Sequence, residues 1–209
     1  MYPVPAKEIR REVVISGSRF IATLAPAFSV EEAKAFIMRM RKEFRDATHN
    51  VPVYLIGGGN SVTAHASDDR EPSGTAGRPA LAVLRGSGLG DVVLVVTRYF
   101  GGRKLGTGGL VRAYTQAAQA VVSAVPRAQK LKAHTALLAV PYPLLERVRL
   151  LIAAEDGRIL AEDFAADVTM TIQFPVNAFV LFEDKLRELS AGKLNAEVLE
   201  TNEILLAIN

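Results

Sequence analysis

The sequence predicts an α+β protein of two domains. Three observations point there. Along the 209 residues the hydrophobic period switches between the two residues of a strand and the three to four of a helix. One near-continuous aliphatic run, Val92–Tyr99, has the makeup of a strand buried on both faces. The last part of the chain reads β-α-β-β-α-β, the ferredoxin-like order. Pro126 stops a helix, and the basic, polar stretch Arg127–Lys132 predicts a linker between domains over 1–130 and 131–209.

Each element follows in order. Arg10–Ser16 and Arg19–Leu24 are rich in β-branched and apolar residues, and Gly17-Ser18 between them predicts a hairpin. Ser29 caps a helix in which Val30, Ala33, Phe36, Ile37, Met40 and Phe44 recur at helical spacing, with Glu31 and Glu32 in the first turn. Its basic face (Lys34, Arg39, Arg41, Lys42 and Arg45) reads as a solvated surface. Val51–Ile56 is a strand that runs into Gly57-Gly58-Gly59, and residues 60–75, which lack periodicity, predict a long loop. Ala80–Arg85 predicts a short helix with Pro79 near its start. After Val92–Tyr99 and a glycine-rich stretch to Gly109, a long helix sets Leu110, Val111, Tyr114, Ala117, Ala118, Val121, Val122 and Val125 on one face. In the second domain, strands are expected at Ala133–Val140, Arg158–Phe164, Val168–Phe174 and Ala196–Ile208. Helices are expected at Leu144–Ala154 and Ala178–Leu189.

Composition narrows the function classes. An apolar fraction of 49% and a charged fraction of 22% belong to a folded domain rather than a disordered tether. The absence of cysteine excludes disulfides, thiolate metal sites and thiol catalysis. Three histidines (His49, His65 and His134) are too few to suggest a histidine-rich metal centre. No apolar run approaches the ~20 residues of a membrane span, and the N-terminus has no secretory h-region. A cytoplasmic protein with no membrane partner is therefore expected. Residues 1–125 carry 16 Lys and Arg against 10 Asp and Glu, whereas residues 126–209 carry 9 against 12. The basic portion predicts an anionic partner. Thirteen of the 16 glycines lie between Gly57 and Gly109, where loops turn with positive φ or a ligand approaches the backbone.

Standard phosphate motifs fail here. Gly101–Gly106 has P-loop glycine spacing, but Thr107 stands where the lysine should be. The pairs Gly86/Gly88 and Gly106/Gly108 lack the third glycine of a dinucleotide fingerprint. No nucleophile elbow exists. What remains is a candidate anion site: Arg98, Tyr99, Gly101, Gly102, Arg103, Lys104, Gly106, Gly108, Gly109 and Arg112, with backbone N–H groups and a helix dipole facing an anion. A second reading stands beside it: the glycines serve tight turning against the sheet, and Arg98 pairs with Asp69 or Glu71. Tyr99-Phe100 offers either base stacking or packing. In the polar stretch 65–78, Asp68, Asp69 and Glu71 suit Mg²⁺ or Ca²⁺, or acid–base hydrolysis with His49. Solvation or pairing with nearby arginines is the preferred reading of those acids, so no metal or cofactor is expected. His49 and His134 read as structural.

These segments together resemble the IMPACT family (the YigZ-type proteins). The resemblance is carried by Ser18-Arg19-Phe20, Ala47-Thr48-His49, the run Ser67–Gly77, and Val92 through Tyr114. It covers nearly all of the first domain. The chain departs from the family at Arg70, usually glycine, and at Arg103, usually apolar. The resemblance implies a first domain folded as a β-α-β module of the ribosomal-protein type. It implies a second, ferredoxin-like domain similar to the last domain of elongation factor G. A translation-associated role follows, with RNA or the ribosome as partner, a protein partner as a further expectation, and a binding rather than an enzymatic function. Eukaryotic relatives regulate translation through a partner of an initiation-factor kinase, an interaction not carried over here. The alternative is an enzyme that hydrolyses a phosphorylated substrate with the acidic loop.

Overall fold

After a short strand β1 (Pro3–Pro5), two successive left-handed residues, Ser16 (φ 49°) and Gly17 (φ 84°), make a tight two-residue turn. The turn joins β2 (Ile9–Ile15) to β3 (Ser18–Pro26), in register from Ile9↔Leu24 to Ile15↔Ser18. Helix α1 (Val30–Glu43) follows. The Ser29 hydroxyl accepts from the Glu32 N–H at 3.1 Å, and the Glu32 carboxylate accepts from the Phe28 N–H at 2.8 Å. This reciprocal capping satisfies two groups at the helix start. The unit continues through β4 (His49–Gly58), β5 (Ser61–Ala66), α2 (Gly77–Gly86), β6 (Val92–Tyr99) and α3 (Gly106–Val122). The structure, a computed structural model, describes residues 2–58 and 61–208, so Gly59 and Asn60 of the predicted turn and loop lie outside the described residues.

The five strands order as β2-β3-β6-β4-β5, every pair antiparallel. β3 and β4 are both antiparallel to β6, so they run parallel to each other with β6 between them and α1 as the crossover. β6 is central because both of its faces are apolar. Val92, Leu94 and Val96 pack with α2 and α3, while Val93 and Val95 pack with Phe36, Ile37 and Met40 of α1. All five strand residues are fully buried. The unit is thus three layers, with α1 on one face of the sheet and α2 and α3 on the other.

Two expectations are corrected. Residues 60–75 are not all loop: β5 pairs with β4 from Val53↔Ala66 to Gly58↔Ser61. β5 is an edge strand exposed over most of its length, so Ser-Val-Thr-Ala-His-Ala has no buried face to imprint an alternation. Arg127–Lys132 is not a linker either. It is the first part of β7 (Arg127–Val140), whose Arg127, Ala128 and Gln129 pair with Pro5, Val4 and Pro3 of β1. Its polar side chains hide the strand from a hydrophobicity reading, although Ala128 is fully buried.

The chain divides into two compact units, Met1–Gln129 with Leu206–Asn209, and Lys130–Leu205. The second unit comprises most of β7, α4 (Leu145–Ala154), β8 (Arg158–Phe164), β9 (Val168–Pro175), α5 (Val176–Leu189) and most of β10 (Glu197–Ile208). Its strands order as β10-β7-β9-β8. Alternate residues of β7 (Ala136, Leu138, Val140) and β9 (Met170, Ile172, Phe174) form its core with Val148 and Ile152 of α4 and Phe179 and Phe182 of α5. Phe174 and Phe182 stack at 4.3 Å between ring centroids.

Candidate functional site

The alternation of β6 that buries Leu94 and Val96 also carries Arg98 into the layer beneath α3, where the residue is 5% exposed. A guanidinium there needs a partner. Its Nη1 donates to Glu71 Oε1 at 2.6 Å, and its Nη2 lies 3.5 Å from Ser18 Oγ. The Phe20 and Phe100 rings lie 5.4 and 5.6 Å from its central carbon. Its Nε is the one buried side-chain nitrogen or oxygen without a hydrogen-bond partner among the described residues. Glu71 Oε1 also accepts from the Tyr114 hydroxyl at 2.8 Å, and His49 Nε2 stands 3.6 Å away. Burial, and then the Glu71 carboxylate, raise the Tyr114 pKa far above its ordinary value, so the phenol keeps its proton and stays a donor. His49 Nδ1 lies 2.7 Å from the Asp69 carbonyl oxygen, which fixes the proton on Nδ1 and turns Nε2 toward Glu71.

The acidic loop is an internal brace. Asp68 accepts from the N–H groups of Gly74, Ala76 and Gly77 at 2.8–3.0 Å, which closes the loop and caps the start of α2. Burial opposes the Asp68 charge, but the three backbone donors and Arg78 outweigh it and hold its pKa below the ordinary value. Asp69 Oδ2 accepts from the Asn50 N–H at 2.7 Å, and Oδ1 faces Arg41 at 3.4 Å. Among the described residues no three His, Asp or Glu side chains are grouped to hold a metal. Asp69 and Arg70 both take positive φ, 45° and 71°, so the glycine usual at position 70 in the family answers a left-handed backbone.

The glycine-rich segment does two jobs. A side chain at Gly101 would fall 2.0 Å from the Gly17 backbone, so Gly101 allows close contact with the β2–β3 turn, where its N–H donates to Ser18 Oγ at 3.1 Å. The predicted cations then divide. Arg103, Lys104 and Arg112 line an open hollow of about 310 Å³ with Ser16 and Gln116, and no acid lines it. None of the three makes an ion pair among the described residues. Arg98 borders a second cavity of about 320 Å³ with His49, Glu71, Phe100, Gly106 and Thr107, and Lys104 lines both. Helix α3 begins beside them with no side-chain cap and no acid in its first turn. Tyr99 is not brought to either hollow. Strand alternation turns it to the opposite face, where its hydroxyl donates to Asp46 at 2.9 Å and Arg19 lies 5.5 Å from its ring.

Sequence reasoning did not single out Ser18, Thr48, Thr107 or Tyr114 as site residues. All four lie within the family segments quoted above, so that signal was present. Read from periodicity alone, Tyr114 belongs to an apolar helix stripe.

Comparisons with known proteins match this chain to relatives. The Impact N-terminal domain model matches residues 16–122, and a domain of unknown function (DUF1949) matches residues 138–193. IMPACT family member YigZ of Escherichia coli (strain K12) is 37% identical over 198 residues, 94% of this chain and 97% of that protein. An IMPACT family member of Haemophilus influenzae is 35% identical over 203 residues, 97% of this chain and 98% of the relative. A solved structure described as a hypothetical protein overlays with a TM-score of 0.62 at 36% identity, covering 95% of this chain and 97% of its own.

Proposed function

We propose, from the premise that the chain belongs to the IMPACT family, that it is a translation-associated protein which binds RNA or the ribosome through the hollow lined by Arg103, Lys104 and Arg112. One observation carries this reading: three cations without ion-pair partners converge on one depression that no acid lines. A cation left unpaired and solvated contributes little to the fold, whereas three of them spaced along a loop and helix suit successive phosphates. The uncapped, acid-free start of α3 adds its dipole on the same side. The resemblance to ribosomal-protein and elongation-factor modules supports the same partner class, and a cytoplasmic location goes with it.

Arg98 has a different part in this reading. Buried against Glu71, it fixes the end of β6 and hence the position of the glycine-rich segment. The reading is tested by purification of the full chain from cells at low ionic strength. RNA or ribosomes are expected to accompany it and to leave as salt rises, because phosphate contacts release counterions. A protein free of nucleic acid at every salt concentration overturns the reading.

A further inference from the structure

The basic hollow leaves the neighbouring cavity unexplained. That cavity, about 320 Å³, lies at the lower end of the roughly 300–1,000 Å³ typical of small-molecule sites. Its walls are of two kinds. Pro72, Phe100, Leu105 and Leu110 give apolar surface, and Phe100 is 46% exposed. At the other side stand His49, Glu71 and Arg98, held by the network already described. An acceptor is unspent there. The Arg98, Tyr114 and His49 contacts all converge on Glu71 Oε1, and Oε2 takes no hydrogen bond among the described residues. His49 stands beside it, its Nε2 3.6 Å from Glu71 Oε1. At the mouth, Lys104 and the first turn of α3 at Gly106 and Thr107 supply positive charge.

A ligand that fits all of this has a flat apolar body, at least one N–H or O–H donor for Glu71 Oε2, and a terminal anion. We propose that the cavity takes a nucleoside monophosphate unit, with its phosphate at Lys104 and the start of α3 and its base against Phe100. In the setting of the RNA reading, on which this inference rests for the source of the ligand, the unit is one unstacked nucleotide of a bound strand. An unstacked base held on an aromatic side chain, with polar groups reading its edge, is how single-stranded RNA is commonly recognised. The shared position of Lys104 on both hollows then places the next phosphates of the strand along Arg103 and Arg112.

The test uses the full chain, with AMP, GMP, CMP and UMP as probes and adenosine and inorganic phosphate as controls, followed by calorimetry. At least one monophosphate is expected to saturate, and adenosine and phosphate each to bind about tenfold more weakly or worse, since each makes only part of the contact. Thr107→Glu sets a negative charge at the phosphate position and is expected to weaken the monophosphate about tenfold. It should leave the melting temperature equal or higher, because an acid in the first turn favours the helix. Phe100→Ala is expected to weaken the monophosphate and leave inorganic phosphate unchanged. No saturation by any of the four, or equal binding in Thr107→Glu and Phe100→Ala, overturns the proposal. Arg103 and Arg112 do not line this cavity. RNA binding that depends on those two arginines with no monophosphate binding therefore removes the cavity and keeps the RNA reading. Monophosphate binding with RNA affinity indifferent to them does the reverse.

Discussion

Arg98 and Glu71 leave water together, and each is tolerable only because the other is there. Removing one member of such a pair strands a buried charge, which typically costs about 3–5 kcal/mol. Arg98→Ala is therefore expected to lose about that much stability in urea titrations, while an apolar replacement of both residues recovers most of it. If Arg98→Ala melts like the wild type, the guanidinium is solvated and the pair is misassigned. Arg70 presents the opposite situation. A non-glycine residue at φ 71° carries a left-handed penalty of roughly 1–2 kcal/mol. Arg70→Gly is expected to raise the melting temperature by about 2–4 °C for a chain of this size, and a lowered one would show that the Arg70 side chain makes up the loss. Asp68 adds a pH dependence. Its folded pKa is lowered, so its contribution is present above the unfolded value of 3.8 and is lost as pH falls through the folded value. Asp68→Asn is expected to be less stable near neutrality and to lose less on acidification below that value. At this scale the sequence narrowed Arg98 to a partner among Asp69 and Glu71, but only the folded loop selects Glu71: Asp69 accepts from the Asn50 N–H, and Glu71 faces Arg98.

Elements with one or two buried faces were legible, because burial writes its pattern into the sequence. α1 shows it through Phe36, Ile37 and Met40, and β6 shows it as an unbroken aliphatic run. β5 and the first half of β7 were not legible. The first is an exposed edge, and the second carries Arg127, Gln129, Lys130 and Lys132 between its apolar positions. Backbone pairing rather than side-chain burial makes both of them strands, and single-sequence periodicity does not register pairing. The pairing has a consequence for protease access. Arg127–Gln129 are hydrogen-bonded in a ladder with β1, and Ala6 N–H donates to the Pro126 carbonyl at 2.8 Å. Limited trypsinolysis is thus expected to spare Arg127 and Lys130 at times when exposed sites such as Arg103 and Lys104 are cut. Early cleavage after Arg127 would return that segment to a linker.

Over the whole molecule, charge divides along the chain. The acidic surplus lies in residues 126–209 and the basic surplus in residues 1–125, and the three cations of the open hollow belong to the basic part. The sequence foresaw a single glycine-rich cradle. The fold separates it into a hollow of free cations and a cavity backed by a buried network, because the β6 register commits Arg98 inward while Arg103 and Arg112 stay outside. The most direct test of the RNA reading is the salt dependence of single-stranded RNA binding, measured for the wild type and for Arg103→Ala, Lys104→Ala and Arg112→Ala. With three phosphates engaged, log affinity is expected to fall against log salt with a slope of about −2 in the wild type. Each single substitution should flatten that slope by about 0.7 while leaving the melting temperature unchanged. An unchanged affinity and slope in the Lys104→Ala, Arg112→Ala double variant would contradict a phosphate role for the hollow and leave its glycines with a structural one.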